Sequence, residues 1–157
     1  MTRRGVVGWS ASFLSLFFSR SAGASQSKLA DDISVSADWI ARALTSSGYK
    51  ADFAPASIIE IERFFVTQVT DGKAVAGGLL SQDLGSRLFA LGSYCGEVLR
   101  LDVGGKWITD DSDPQAEINA ALQLTNGATC WPIQRVMKRF QSADDNLVTW
   151  ADSLRRG

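Results

Sequence analysis

Ile118-Asn119-Ala120-Ala121-Leu122-Gln123-Leu124-Thr125-Asn126-Gly127-Ala128-Thr129-Cys130-Trp131-Pro132 decides the fold. Ile118, Ala120, Leu122 and Leu124 alternate with other residues, the period of a strand with one buried face. Asn126-Gly127 suits a turn that needs positive φ, so Ala128 to Trp131 is expected to return as the partner strand. Pro132 ends that strand and fits the first turn of a helix, where its missing N–H costs nothing. Upstream, Gly104-Gly105 turns the chain into a short strand, Lys106 to Thr109, and Asp110-Asp111-Ser112-Asp113-Pro114 reads as a turn. A small antiparallel sheet of about three strands is therefore expected.

Helical periodicity surrounds this sheet. Val35, Trp39, Ile40, Ala43 and Leu44 predict a helix over 33–47, stopped by Gly48, with 25–32 as a polar linker. Ser57-Ile58-Ile59-Glu60 has the spacing of a capping box, and the helix it opens carries Ile58, Ile61, Phe64, Phe65 and Val69, ending at Asp71-Gly72. Gly77-Gly78 precedes a long helix, Ser81 to about Leu101, with Leu84, Leu88, Leu91, Cys95 and Val98 as its core stripe. Gly92 and Gly96 make a smooth patch on it for another backbone, and the nearby charges Arg87, Glu97 and Arg100 place that packing outside a membrane. After Pro132, Ile133, Val136, Met137 and Phe140 line one helix, and Leu147, Trp150, Ala151 and Leu154 a last one, Asp145 to about Arg155. Three helices, a small sheet, then two helices is a segregated order, which predicts an α+β fold with a single domain over 29–157.

Composition removes several chemistries. The 157 residues are 45% hydrophobic and 21% charged, enough apolar material for a buried core. Histidine is absent, which excludes His-based triads and imidazole acid/base work, along with most zinc sites. Sixteen basic residues stand against 17 acidic ones, and no basic excess marks a binder of double-stranded nucleic acid. Two cysteines, Cys95 and Cys130, are too few for a disulfide scaffold or a four-thiolate metal site. They are expected to pack as small hydrophobes, or to form one bridge if the chain is exported.

Residues 1–28 differ from the rest. They hold Arg3, Arg4, Arg20 and Lys28 and no acid, leaving 12 basic against 17 acidic residues downstream. A twin arginine, a mainly apolar run over 6–18 and Ala22-Gly23-Ala24 form a leader with the order of a twin-arginine export signal cleaved after Ala24. The competing reading is an amphipathic leader in which Trp9, Phe13, Leu16 and Phe17 share a face that docks on the domain or on a membrane.

Three groups of residues can carry function. Glu97, beside two helix glycines, could serve as a general base, with Tyr94 or Arg100 as its companion; the plainer reading is an ion pair with Arg100 or a buried prop for the sheet. Trp131, Arg135, Lys138 and Arg139 join an aromatic ring to a basic helix face suited to a phosphate, an acidic protein surface or single-stranded nucleic acid; the plainer reading pairs them with Asp144 and Asp145. Asp110, Asp111 and Asp113 offer oxygen ligands but lack the glycine and terminal glutamate of a calcium loop, so a solvated turn is expected and no metal. P-loop, dinucleotide-binding and Gly-x-Ser-x-Gly patterns are absent from the sequence.

The segment Gly92-Ser93-Tyr94-Cys95-Gly96-Glu97-Val98, then Gly104-Gly105-Lys106-Trp107, resembles a group of bacterial domains with a helix of the type G-x-Y-x-G-E-V followed by G-G-x-W. Trp131-Pro132-Ile133-Gln134-Arg135-Val136 and Lys138-Arg139-Phe140 are similar to the same group, so the resemblance covers about Ser57 to Leu154. It implies a bacterial origin and a small α/β unit, brings no activity with it, and points to a cytoplasmic location rather than export. The motif residues are mostly glycine, aromatic and apolar, a chemistry of packing and turning.

The expected function is a non-catalytic binding or protein-interaction module, inhibitor- or immunity-like, with a protein partner and no cofactor. The alternatives are a hydrolase or transferase using Glu97 with Tyr94 or Arg100, and a membrane-peripheral protein docked through residues 6–18. An enzyme should hold Glu97 in an open concave pocket among convergent polar groups, whereas a binding module should bury it and expose an apolar patch.

Overall fold

The computed structural model describes residues 27–157. The export signal, the cleavage site after Ala24 and the amphipathic face over 6–18 lie outside the described residues. The fold is α+β.

Helix α1 (Lys28–Ser46) buries Leu29, Ile33, Ala37, Ile40, Ala41 and Leu44, a stripe at three- and four-residue spacing. It begins five residues before the expected Ile33, and most of the predicted linker is helical. The reason is a cap supplied from far along the chain. The Asp111 carboxylate accepts the backbone N–H groups of Lys28 (3.0 Å) and Leu29 (3.1 Å) and the Ser27 hydroxyl (2.8 Å), satisfying free donors of the first turn.

Helix α2 (Ser57–Gln68) buries Ile58, Ile61, Phe64 and Phe65 as expected. The capping box does not form, because Ala56 already has helical dihedrals and Ser57 is inside the helix. Its two side chains are claimed elsewhere: Ser57 donates to the Ala54 carbonyl (2.7 Å), and Glu60 accepts the Lys50 N–H (2.9 Å) and pairs with Arg63. Asp71-Gly72 does more than end the helix. With φ of 52° and 73° they form a primed turn joining β1 (Val69–Thr70) to β2 (Lys73–Ala74), a hairpin the periodicity did not reveal.

A single 3-10 turn (Leu79–Ser81) leads to α3 (Leu84–Val103), whose residues 88–96 are all buried, so it runs through the middle of the fold. Helices α1 and α5 (Pro132–Gln141) pack against it. Gly92 admits another backbone as the sequence suggested, whereas Gly96 makes room for side chains. A Cβ on Gly92 would lie 2.6 Å from the Ile133 Cα, and one on Gly96 would overlap the Trp107 ring.

Strands β3 (Gly105–Ile108), β4 (Ala121–Leu124) and β5 (Thr129–Cys130) form the antiparallel sheet in that order, with Trp107 opposite Leu122 and Leu122 opposite Cys130. Ala120, Leu122 and Leu124 are buried as the alternation predicted. The strand starts at Ala121 rather than Ile118, because Asp113 accepts the Gln115 N–H (2.8 Å) and the Asn119 amide (2.9 Å) and winds α4 (Ala116–Asn119) ahead of it. Gly127, with φ 95°, sits in the hairpin loop. Pro132 opens α5, and Asn146 caps α6 (Leu147–Arg156) by accepting the N–H groups of Val148 and Thr149.

Candidate functional site

The residues singled out in the sequence fall into two clefts, the buried core and the acidic turn after β3. Cys95 and Cys130 are free, buried thiols. Burial raises both out of the thiolate range, Cys130 to about 12, which removes them as nucleophiles.

Tyr94 and Glu97 lie on α3 but do not meet in a hydrogen bond. Tyr94 is fully buried; its hydroxyl accepts the Phe53 N–H (3.0 Å) and donates to Ser57 Oγ (2.7 Å). Burial raises its phenol above the usual value. Phe53 has φ of +62°, which a bulky side chain rarely adopts, and its ring packs tilted against Tyr94 with centroids 4.7 Å apart. Tyr94 thus holds a strained corner of the loop before α2.

Glu97 instead lines a cleft of about 500 Å³ between the start of α1 and strand β3. Its Oε2 accepts Arg100 Nε (2.6 Å) and the Trp107 indole N–H (3.0 Å), and its Oε1 accepts Arg100 Nη2 (3.1 Å). Gly96 is the reason the indole reaches it, since any larger residue would displace the ring. The expected ion pair with Arg100 is present, and so is an open crevice beside the carboxylate. Both carboxylate oxygens are already engaged within the protein.

The second cleft, about 320 Å³, lies among β5, α5 and α6 and brings together Trp131, Arg135 and Lys138 with Trp150 and Gln134. Trp131 is 45% exposed. Arg135 pairs with Asp145 at 3.1 Å, as the plainer reading proposed, and its guanidinium lies 5.8 Å from the centre of the Trp150 ring. No carboxylate is among the residues lining this cleft.

Arg139 is not on that face. It is 3% exposed, its Nε donates to Glu62 at 2.7 Å, and Glu62 also accepts the Leu147 N–H at 3.1 Å. The last member of the expected basic face is therefore a buried tie between α2, α5 and the start of α6. Helical spacing alone could have flagged it, because position 139 follows Val136 by three and Pro132 by seven, and both of those are buried.

The acidic turn has a structural use as well. Burial opposes ionisation of Asp111, yet the Ser27 hydroxyl and the Leu29 and Lys28 amides hold its carboxyl below the usual value. Among the described residues no group of three or more Cys, Asp or Glu side chains is placed to hold a metal ion, and no helix is long and apolar enough to cross a membrane.

No known protein family, curated protein or solved structure matches this chain.

Proposed function

We propose that the chain is a non-catalytic binding module whose protein partner presents an acidic surface to the Trp131 cleft. The observation that carries this reading is the gathering of Trp131, Arg135 and Lys138 around one cleft, with Trp131 half exposed and Arg135 held by Asp145 from outside the lining. Half-exposed tryptophan beside cations is the composition of an interface anchor, where a large apolar ring supplies contact area and the charges select the partner. The domain is acidic overall, so a local cationic cleft attracts a partner that the rest of the surface repels. The inhibitor- or immunity-like character and the likeness to the bacterial G-x-Y-x-G-E-V group belong to the same proposal.

The test compares the full chain with W131A and K138E as baits. A stoichiometric acidic partner captured by the full chain, released by salt and lost with both variants supports the reading. Equal capture by all three removes it.

The competing reading, a hydrolase or transferase using Glu97 with Arg100, rests on the crevice beside Glu97. Tyr94 has no part in it, since its hydroxyl is buried against Ser57 and Phe53. Turnover of ester, phosphoester or glycoside substrates that E97Q abolishes, with the fold intact, would put the enzyme reading first.

A further inference from the structure

The sheet order β3–β4–β5 leaves one long side of β3 with no strand beside it. The register decides which backbone groups face that side. Thr125 N–H donates to the Gly104 carbonyl (2.9 Å), so positions 104, 106 and 108 spend their N–H and C=O groups on β4. The alternation agrees on β4, where the Leu124 N–H turns the other way and donates to the Ala128 carbonyl of the β5 side (2.8 Å). Gly105 and Trp107 therefore aim their N–H and C=O groups away from the sheet. Among the described residues those groups have no hydrogen-bond partner. An open edge of this kind is a template for another strand.

The Glu97 cleft runs along this edge, with Gly105, Trp107 and Thr109 on one side and Ala30, Ile33 and Ser34 of α1 on the other. No residue of β4 or β5 lines it, so it opens on the unpaired side of β3 and not across the face of the sheet. Thr109 donates to the Ser27 hydroxyl (2.8 Å), which ties β3 to the start of α1 at one end.

We propose that this edge takes an extended, acidic peptide of a protein partner as a fourth strand of the sheet. Donors and acceptors repeating at every second residue are what an extended backbone pairs with. From Gly105 to Thr109 the strand rises roughly 14 Å, the length of about four paired peptide residues. A second copy of the folded chain does not fit, because its own β3 edge lies behind the same wall of α1. The acidic preference comes from Arg100, which lines the cleft. Its Nε and one Nη2 proton go to Glu97, and the Nη1–Nη2 edge that remains is a fork suited to a carboxylate on the peptide. This surface shares no lining residue with the Trp131 cleft, on which the binding-module reading rests.

Selection from a random heptapeptide library displayed on phage, with the full chain as bait, tests this. Peptides carrying an acidic residue should be enriched over selection on S34W, whose ring fills the cleft from an exposed helix position. With an enriched peptide bound, the Gly105 and Trp107 amides should exchange with deuterium more slowly, on the order of tenfold. The Lys106 and Ile108 amides, already bonded to β4, should keep their rates. N-methylation of the peptide should abolish binding at alternate residues and spare those between, because only one edge of the added strand is paired. The proposal is overturned by enrichment that S34W matches, by bound peptides that leave the Gly105 and Trp107 amides unchanged, or by indifference to N-methylation. It is equally overturned by a concentration-dependent dimer that protects those two amides without peptide. Peptides that W131A releases would belong to the other cleft, which removes this proposal and leaves the binding-module reading standing.

Discussion

Helix α5 has two flanks that differ in how fully their side chains are spent. On the inner flank Ile133 sits on Gly92 with no room for a methyl group, and Arg139 is sealed against Glu62. On the outer flank Lys138 is exposed and Arg135 shares a 320 Å³ cleft with Trp131 and Trp150. The same helix carries cations on both flanks, so residue type does not separate structure from function here. The number of contacts already committed does. The inner flank should be fragile to mutation and silent in binding, and the outer flank the reverse.

The sharpest way to break this contrast is Glu62→Ala. It leaves the Arg139 charge buried without its carboxylate and removes the acceptor of the Leu147 N–H, for an expected loss of about 3–5 kcal/mol in urea unfolding. A loss below about 1 kcal/mol would mean that water reaches Arg139 and that the inner flank is open after all. Gly92→Ala comes next. Its Cβ would press on the Ile133 backbone, which cannot rotate away, and a net loss of about 2–3 kcal/mol is expected despite the better helix propensity of alanine.

Asp32 is a charged exception within the packed region, being buried with an Oδ2 that lacks a hydrogen-bond partner, as Ser36 and Ser93 are with their hydroxyls. Burial first, then the charges of Asp31, Asp111 and Glu117, raise its carboxyl to about 7. A raised carboxyl stabilises the fold fully below the ordinary value of 3.8, and that stabilisation drains away as pH rises toward about 7. The whole span caps the effect at about 4 kcal/mol. Asp32→Asn should remove this slope between pH 4 and 7 and gain about 1–2 kcal/mol at pH 8, the amide still lacking a good partner. Unchanged pH dependence of the thermal midpoint would show that Asp32 is solvated. The smallest effect belongs to the outer flank: Trp131→Ala and Lys138→Gln should each change stability by less than about 1 kcal/mol. A larger loss from either would make that cleft part of the scaffold.

The sequence revealed elements whose cause is local. Asn126-Gly127 and Pro132 each act through neighbours or through a backbone constraint of their own, and each behaves as expected. What stayed hidden depends on partners distant along the chain. Ser57 and Glu60 match a capping box, yet Tyr94 and Lys50 reach them. Arg139 reads as a solvated cation until Glu62, 77 residues away, is seen beside it. The cleft at Trp131 was legible because its basic residues and aromatic ring are close in sequence. The cleft at Glu97 was legible only in part, since Ser34 and Lys106 come from separate elements that nothing in the pattern links.

Asp111 accepts the amides of Lys28 and Leu29 across 83 and 82 residues. Those two protons should therefore exchange with deuterium at a rate governed by the turn after β3, not by fraying of the helix that contains them. In Asp111→Asn they should exchange much faster, while the amides in the middle of α1 keep their protection. The beginning of the described chain and the turn near residue 111 would then open and close as one cooperative unit.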